Sequence, residues 1–284
     1  MSILALSHGF TSMTTIGLIS PGAMGASVGA AALSDGKNVV WASEGRSADT
    51  HQRAESAGLR DCGTLDDLVA SADIILSVCP PHDAEPVAKS VADRNFSGVF
   101  VDCNAISPMK TVKLSEQFDR FVDGGIVGGP AWRSEAGTCL YLSGIEANEI
   151  AQLFTGSPLH TQVISDDIGA ASAMKMTFAA YTKGSTALLV AILGVAERYG
   201  VRETLEQQWG ESFTTQTHQR VLGSSHKAWR FSGEMLEIAE TFAGAELPGG
   251  FHQAAAEVFE RLAVFKEGNA DSVEQLLVEL NKRS

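Results

Sequence analysis

Short apolar runs separated by polar or glycine-rich stretches alternate along the first half of the chain. These runs occupy residues 15–20, 38–43, 73–78, 99–102 and 121–123. Each run is short and rich in Val, Ile, Leu or Phe, which is typical of a strand buried on both faces. Helix-forming residues follow at 26–33 and at 65–72, the second with Thr64 as its expected N-cap. This alternation predicts right-handed βαβ units around a mostly parallel sheet.

The pattern changes near residue 166. Residues 169–199 are rich in Ala, Met and Leu and predict one long helix of about 30 residues, roughly 45 Å. Further helices are predicted at 203–209, 213–222, 233–242, 251–265 and 272–280. We therefore expect an α/β fold in which an N-terminal Rossmann doubly wound sheet (residues 13–166) is followed by an all-α domain (residues 167–284).

Composition limits the classes of partner. The chain has 284 residues, of which 44% are hydrophobic, and a formal net charge of −13. An acidic surface repels phosphate backbones and anionic membranes, so no nucleic-acid or membrane partner is expected. No apolar stretch approaches the roughly 20 residues that span a bilayer. Residues 1–12 lack the features of a signal peptide and are expected to be a tail, with Met13 as an alternative start. These features predict a cytoplasmic protein.

The four cysteines do not form a metal-binding or disulfide pattern. Cys62, Cys79, Cys103 and Cys139 are far apart and include no Cys-x-x-Cys pair. We interpret them as reduced residues, mostly in the core. Zinc ligation is the minor alternative because no His lies at ligand spacing, and no metal site is predicted.

A glycine-containing turn follows the first predicted strand. The fingerprint of dinucleotide-binding turns is Gly-x-Gly-x-x-Gly between a strand and a helix. Here Ser20 replaces the first glycine, while Gly22 and Gly25 remain for close approach to the pyrophosphate and for helix packing. The predicted cofactor contacts are Ser20, Pro21, Gly22, Ala23, Met24 and Gly25. An ordinary βα turn is the alternative.

Residues after the second predicted strand bear on the choice of cofactor. An acidic residue at this place holds a ribose 2′-hydroxyl, whereas an Arg receives a 2′-phosphate. Glu44 and Arg46 are both present, and Ser47 adds a hydroxyl beside the cation. Arg46 and Ser47 favour NADP(H), with NAD(H) as the alternative.

Several stretches, in order along the chain, resemble the β-hydroxyacid dehydrogenase superfamily, which includes 3-hydroxyisobutyrate and 6-phosphogluconate dehydrogenases and imine reductases. The matching stretches are residues 21–25, 77–80, 101–108, 123–129, 136–138 and 169–175. The second half is similar to the branch with a helical domain like that of 6-phosphogluconate dehydrogenase, through Lys175, residues 182–184, 237–241, 247–248 and 251–256.

The resemblance implies roles for particular residues. Cys79 and Pro80 would lie beside the nicotinamide ribose, and Asn104 would contact the nicotinamide or the substrate. Gly128 and Gly129 would bind the substrate. Lys175 would also contact the substrate and would donate or accept the proton during hydride transfer. The apolar surroundings of Lys175 in the sequence are expected to reduce its hydration and to lower its pKa.

The departures from the family pattern leave the reaction open. Val127 and Ala179 replace a usual Ser and Asn, and Asn104 with Ala105 replaces Ser-Thr. The leading hypothesis is a dehydrogenase of a small hydroxy or carbonyl substrate, and the alternative is an NADPH-dependent imine reductase. A cofactor-binding module without turnover is a third reading. The apolar long helix, together with the resemblance, predicts a homodimer with interleaved helical domains.

Overall fold

The computed structural model describes residues 14–33 and 36–282. The expected tail at 1–12 and the alternative start at Met13 lie outside the described residues. The chain divides into two units, Met1–Lys175 and Met176–Ser284. The boundary lies after Lys175, inside a helix, whereas the sequence pattern placed it at residue 166.

The first unit contains one eight-stranded sheet. Its strands are β1 (Thr15–Ile19), β2 (Asn38–Trp41), β3 (Arg60–Asp61), β4 (Ile74–Ser77), β5 (Val99–Asp102), β6 (Phe121–Val127), β7 (Cys139–Ser143) and β8 (His160–Ser165). The strand order is β3-β2-β1-β4-β5-β6-β7-β8. Neighbours pair in parallel except β6 and β7, which are antiparallel. The order of the first six strands is that of a Rossmann fold, so the predicted fold class is confirmed.

Helices connect these strands and cover the sheet. They are α1 (Ala23–Ala32), α2 (Ala48–Ser56), α3 (Leu65–Ser71), α4 (Ala84–Ala92), α5 (Pro108–Ser115) and α6 (Ala147–Gln152). Alternate strand residues face opposite layers: Ile74 and Leu76 belong to one core cluster and Ile75 to the other. All three side chains are fully buried. A sheet buried on both faces explains why its central strands are continuous apolar runs.

Three strands and the true start of α1 were not predicted from the sequence. The strand β3 has only two residues, both exposed. The edge strand β8 contains His160, Thr161 and Gln162 and alternates between exposed and half-buried positions, so it has no continuous apolar run. The strand β7 reverses direction against β6. Helix α1 begins at Ala23 rather than residue 26, because the turn before it is shorter than the sequence pattern indicated.

The second unit is helical. Its helices, with α7 crossing the boundary between the units, are α7 (Ala170–Ala179), α8 (Ser185–Arg198), α9 (Arg202–Trp209), α10 (Glu211–Ser225), α11 (Ala228–Gly244), α12 (Gly250–Arg261) and α13 (Val273–Asn281). A π-helical turn, Ala180–Gly184, joins α7 to α8. The predicted long helix is therefore one helical run with a local widening near its middle.

The run Ala170–Arg198 also meets the length and composition of a membrane-spanning helix. This corrects the expectation that no apolar stretch approaches that length. The lysines at 175 and 183 obscure the run in the sequence. Its most apolar window is 39% buried within the protein. Core helices of soluble proteins pass the same test of length and composition, so one such helix is weak evidence for a membrane span.

Candidate functional site

The turn between β1 and α1 lies at the point where the strand order reverses, since β1 pairs with β2 on one side and β4 on the other. Ligands of open α/β sheets bind at this point. Ser20 has a φ of +64°, a left-handed conformation that glycine adopts without strain. Its carbonyl accepts a hydrogen bond from the Gly22 N–H at 2.7 Å. A Cβ at Gly25 would lie 2.4 Å from the same oxygen, so only glycine fits there.

The N-terminus of α1 is suited to an anion. Gly22 is its N-cap residue, and no side chain within the described residues caps the helix. The first turn carries no acidic residue. The first amides of the helix and its dipole therefore favour an anion at this end, and no acidic residue of the helix's own first turn opposes it. This arrangement fits the pyrophosphate of a dinucleotide.

A cavity of about 100 Å³ lies beside this turn. Its polar lining includes Ser20, Glu44 and Arg46, and its apolar lining includes Ala42 and Leu65. The structure thus brings Ser20 and Arg46, two of the predicted cofactor contacts, to one cavity, and their contact with a cofactor stays a prediction. It also brings Glu44 to the same cavity. The residue that would bind a ribose 2′-hydroxyl and the residue that would bind a 2′-phosphate are therefore both present there.

Ser47 acts locally as the N-cap of α2. Its hydroxyl accepts a hydrogen bond from the Thr50 N–H at 3.4 Å and pairs with the Thr50 hydroxyl at 3.1 Å. Arg53, which sequence reasoning missed, donates from Nη2 to that Thr50 hydroxyl at 3.1 Å and from Nε to the Pro21 carbonyl at 3.4 Å. Arg53 follows Thr50 by three positions, so the two side chains share one helix face. This spacing could have predicted their contact from the sequence. A second cation therefore contacts the phosphate turn.

The ends of β4 and β5 are joined by Asn104. Its Oδ1 accepts from the Cys79 N–H at 2.6 Å, and its Nδ2 donates to Ser77 Oγ at 3.0 Å and to Asp102 Oδ1 at 2.5 Å. The side chain is only 2% exposed. Both amide hydrogens are thus used inside the protein. Asn104 braces two strand ends, and a direct contact with ligand stays a prediction.

Cys79 and Pro80 follow β4. Burial, together with the negative charge of Asp102, raises the pKa of the Cys79 thiol to about 12. The thiol is therefore protonated at neutral pH and is a poor nucleophile. Pro80 precedes the short 3₁₀ turn Pro81–Asp83. No cluster of three metal-ligating side chains occurs among residues 14–33 and 36–282.

Two buried carboxyl groups lie side by side on neighbouring strands, Asp102 at the end of β5 and Asp123 at the third position of β6. Asp102 and Asp123 are register partners in these parallel strands. Burial, and next the charge of Asp123, raises the pKa of Asp102 to about 7. One oxygen of Asp102, Oδ2, has no hydrogen-bond partner in the described chain. Burial also raises the pKa of Asp123, although several hydrogen bonds oppose that shift.

Asp123 is the acceptor for the start of α7. Its Oδ2 accepts from Ser143 Oγ, the Gly169 N–H and the Ser172 N–H, each at 3.0 Å. Its Oδ1 accepts from Ser172 Oγ at 2.7 Å. Sequence reasoning missed this role, because the carboxylate caps a helix that begins more than 40 residues later in the chain.

Lys175 is half-buried and lies on α7, one turn beyond Ser172. The helix approaches β6 closely at Gly125, where a Cβ would be 2.4 Å from the Ala171 carbonyl oxygen and 3.0 Å from Lys175 Cβ. Gly125 therefore permits the contact between the strand and the helix that carries Lys175.

The predicted substrate glycines follow β6. Gly128 and Gly129 are exposed, and Gly128 has a φ of +124°. Thr138 Oγ1 donates to the Gly129 carbonyl at 2.7 Å. A side chain at Gly128 would lie within 3 Å of Thr138, so this loop also requires glycine for its local packing. Substrate contact by these residues stays a prediction.

Comparisons with known proteins identify the family. The model described as "NADP oxidoreductase coenzyme F420-dependent" matches residues 15–105, and a domain of unknown function, DUF1932, matches residues 194–262. An uncharacterized 28.5 kDa protein in the 7S RNA 5′ region of Methanothermus fervidus is 33% identical over 202 residues, 69% of this chain and 78% of the relative.

A solved structure is also similar to this chain. Conserved protein MTH1747, a protein of unknown function whose structure is described as similar to 3-hydroxyacid dehydrogenases, is 30% identical. The match covers 89% of this chain and 98% of that chain, with a TM-score of 0.66. The chain belongs to the β-hydroxyacid dehydrogenase superfamily.

More distant members of the superfamily share the fold alone. The 3-hydroxyisobutyrate dehydrogenase of Mycobacterium tuberculosis is 16% identical, with a TM-score of 0.65, over 95% of this chain and 100% of that chain. An imine reductase from Bacillus cereus is 17% identical, with a TM-score of 0.53, over the same shares. The resemblance seen in the sequence is confirmed. This superfamily member is an NAD(P)-dependent oxidoreductase, in agreement with the match of residues 15–105 to the NADP oxidoreductase model.

Proposed function

We propose that this protein is a soluble, cytoplasmic oxidoreductase that uses NADP(H) to interconvert a small hydroxy substrate and its carbonyl form. Lys175 is the group that gives or takes the proton. The observation that carries the proposal is the uncapped N-terminus of α1 at the strand-order reversal, in a chain of this superfamily. The bound nicotinamide supplies the hydride, while the chain's own residues hold the dinucleotide, orient the substrate and handle the proton.

The proton role of Lys175 is supported by its anchorage. Asp123 accepts hydrogen bonds from the start of α7, and the Lys175 Cβ lies against Gly125. The backbone that carries the Lys175 side chain is therefore held in place. An ammonium group near a carbonyl oxygen stabilises the charge that develops there during reduction and supplies the proton. A positioned general acid contributes roughly 10²- to 10⁴-fold in rate.

Replacement of the lysine tests this role. Lys175→Ala is expected to lower kcat by about 100-fold or more, because the proton donor is lost. Affinity for NADPH, measured by calorimetry, is expected to stay unchanged because the phosphate turn is intact. Lys113→Ala, at an exposed lysine of α5, is the matched control. Normal turnover of Lys175→Ala on a panel of short aldehydes and α-keto acids would refute the assignment.

The preference for NADP(H) is supported by two arginines. Arg46 lines the cavity beside Ser20, and Arg53 contacts the Pro21 carbonyl. A hydrogen bond from Arg to a phosphate is charge-assisted, so its loss costs about 10- to 100-fold in affinity. Arg46→Ala is expected to weaken NADPH by that factor and to leave NADH unchanged. Glu44→Gln is the matched variant: it weakens NADH only. The reverse pattern in calorimetry would assign NAD(H).

Imine reduction is the second candidate for the reaction. It is favoured by Val127 and Ala179, which cannot donate a hydrogen bond from their side chains to a substrate carboxylate, and by Asn104, whose amide hydrogens are already used. Oxidation of NADPH by a cyclic imine such as a pyrroline, without activity on the aldehyde and keto acid panel, would assign this chemistry. The opposite result would assign the dehydrogenase.

A homodimer through the long helix is also proposed. On α8 the apolar side chains of Leu188 and Val195 are 43% and 59% exposed, and Tyr199 follows at 78%. Burial of such a face by a second copy removes apolar surface from water. Sedimentation is expected to show a dimer at micromolar concentration and a monomer for Val195→Glu. A monomeric wild-type protein would contradict the proposal.

A further inference from the structure

Two residues of β6 contact the start of α7, the helix that carries Lys175. Asp123 accepts four hydrogen bonds, of which one comes from Gly169 just before α7, two from Ser172 in its first turn and one from Ser143 on β7. Two residues further along the same strand, Gly125 leaves room for the Ala171 carbonyl and the Lys175 Cβ. The strand thus fixes the position of the helix in two ways. Asp123 bonds its start, and Gly125, which has no side chain, lets the helix pack closely against the strand.

The hydrogen-bond network around the carboxylate extends to neighbouring elements. Ser143 Oγ donates to Asp123 and accepts from the Ala171 N–H at 3.0 Å. Ser172 Oγ donates to Asp123 and pairs with the Thr111 hydroxyl of α5 at 2.8 Å. The carboxylate of Asp123 is therefore the centre of a set of buried bonds that joins β6, β7 and α5 to the start of α7.

We propose that Asp123 and Gly125 are positioning residues that hold Lys175 at the reacting centre by fixing the first turn of α7. This inference rests on the proposed function, because it needs Lys175 to be the proton donor. Neither residue touches the reacting atoms: Asp123 bonds backbone and hydroxyl groups, and Gly125 contributes no side chain. A displacement of about 1 Å at a catalytic group costs about 10²-fold in rate, so a loosened helix start is sufficient to abolish most turnover.

Removal of the carboxylate is the first test. Asp123→Ala leaves the amides of Gly169 and Ser172 without their acceptor, and kcat for NADPH oxidation on the active panel substrate is expected to fall about 100-fold. The dissociation constant of NADPH is expected to change by less than about threefold, since the turn at 20–25 is untouched. Asp123→Asn keeps an acceptor oxygen and is expected to retain kcat within about fivefold. Wild-type kcat in Asp123→Ala would overturn the proposal.

A glycine pair separates positioning from general destabilisation. A Cβ at Gly125 would lie 2.4 Å from the Ala171 carbonyl, and a Cβ at Gly98 would lie 2.2 Å from the Asp73 carbonyl. The clashes are of similar size, but Gly98 directly precedes β5 and lies at the amino-terminal end of the parallel strands, away from the start of α7. Both Ala variants are expected to lose thermal stability, and only Gly125→Ala is expected to lose kcat. Equal kcat losses in both would overturn the proposal.

A double-mutant cycle shows whether the effect passes through Lys175. If Asp123 acts by positioning the lysine, Asp123→Ala has no further effect on kcat in a Lys175→Ala background. Additive losses would overturn the proposal while leaving the role of Lys175 intact. Full turnover of Lys175→Ala would instead refute the proposed role of Lys175 as the proton donor. The proposal that Asp123 and Gly125 position a catalytic lysine would then be refuted as well.

A milder pair of changes covers the case in which Asp123→Ala fails to fold. Ser143→Ala and Ser172→Ala each remove one hydrogen bond from Asp123 while the carboxylate remains. The combined variant is expected to lower kcat several-fold and to speed hydrogen exchange at the amides of Gly169 and Ser172. Wild-type values of both quantities would overturn the proposal.

Discussion

The raised pKa of Asp102 makes a quantitative prediction about stability. In the folded protein this carboxyl keeps its proton up to about pH 7, whereas its ordinary pKa is 3.8. Between these pH values the native state binds more protons than the unfolded state, so the free energy of unfolding falls as pH rises. At about 1.4 kcal/mol per pH unit, the full loss above pH 7 is roughly 4 kcal/mol.

The substitution Asp102→Asn is expected to remove this pH-dependent loss of the free energy of unfolding. The amide does not ionise, and its Oδ1 still accepts the hydrogen bond that Asn104 Nδ2 now gives to the carboxyl. The new Nδ2 replaces an oxygen that already lacks a partner in the described chain. Below about pH 3.8 the variant and the wild type are therefore expected to be similar in stability, and at pH 5 the variant is expected to be more stable by about 1.6 kcal/mol. At pH 8 the variant is expected to be more stable by about 4 kcal/mol.

Urea unfolding followed by tryptophan fluorescence measures the difference. Trp41 and Trp132 lie in the first unit, and the remaining two tryptophans lie in the second. A background with Trp209→Phe and Trp229→Phe therefore reports unfolding of the unit that contains Asp102. Burial raises the pKa of Asp123 in both proteins, so their difference reports the ionisation of Asp102 together with its interaction with Asp123.

The exposed carboxylate of Asp119 provides the matched control. Asp119→Asn changes an exposed carboxylate of the same unit and is expected to leave the pH dependence unaltered. If wild type and Asp102→Asn lose the same free energy of unfolding between pH 5 and pH 8, Asp102 does not ionise in that range in the folded protein. The account of the buried carboxyl pair would then be wrong.

The remaining predictions concern the phosphate turn. Gly25→Ala places a Cβ 2.4 Å from the Ser20 carbonyl and is expected to cost about 1–3 kcal/mol of stability, measured by urea unfolding, together with NADPH binding. Gly22→Ala, whose Cβ would be 4.0 Å from that oxygen, is expected to keep stability and lose only binding by calorimetry; equal stability losses would contradict this. Ser20→Gly is expected to stabilise the protein by about 0.5–1 kcal/mol, because relief of the left-handed strain exceeds the entropy cost of glycine. A lower midpoint of unfolding would show that the strain account is wrong.

The predictable part of this protein was local in sequence. The strands β1, β4 and β5 are apolar runs bounded by polar residues, so their existence follows from burial on both faces. The turn at Ser20–Gly25 was recognisable because glycine spacing, strand and helix follow one another within a few residues. Lys175 was found through a resemblance, since nothing in its local pattern distinguishes it from a lysine whose stem packs on a helix.

The parts that were missed depend on pairing between distant segments. Asp123 accepts a hydrogen bond from the Gly169 N–H, 46 positions later and just before α7 begins, a relation that no local spacing encodes. The edge strand β8 is stabilised by its parallel pairing with β7, not by an apolar run of its own. The resemblance implied that Asn104 contacts the nicotinamide or the substrate, and that contact stays a prediction. The sequence did not show that its amide joins the end of β5 to the end of β4, a link between residues 25 positions apart.

The positions that break the rules of stable folding collect at one edge of the sheet. A left-handed Ser20 follows β1, an unsatisfied carboxyl oxygen of Asp102 ends β5, and a buried Asp123 lies beside it in β6. The left-handed Ser20 and the raised pKa of Asp102 each cost on the order of 1–4 kcal/mol, against a total stability of about 5–15 kcal/mol for a typical protein. Ser20→Gly and Asp102→Asn would relieve these two costs if stability alone governed the edge. Their concentration at the carboxyl ends of parallel strands, where ligands bind in such sheets, is what a binding edge predicts and a purely structural edge does not.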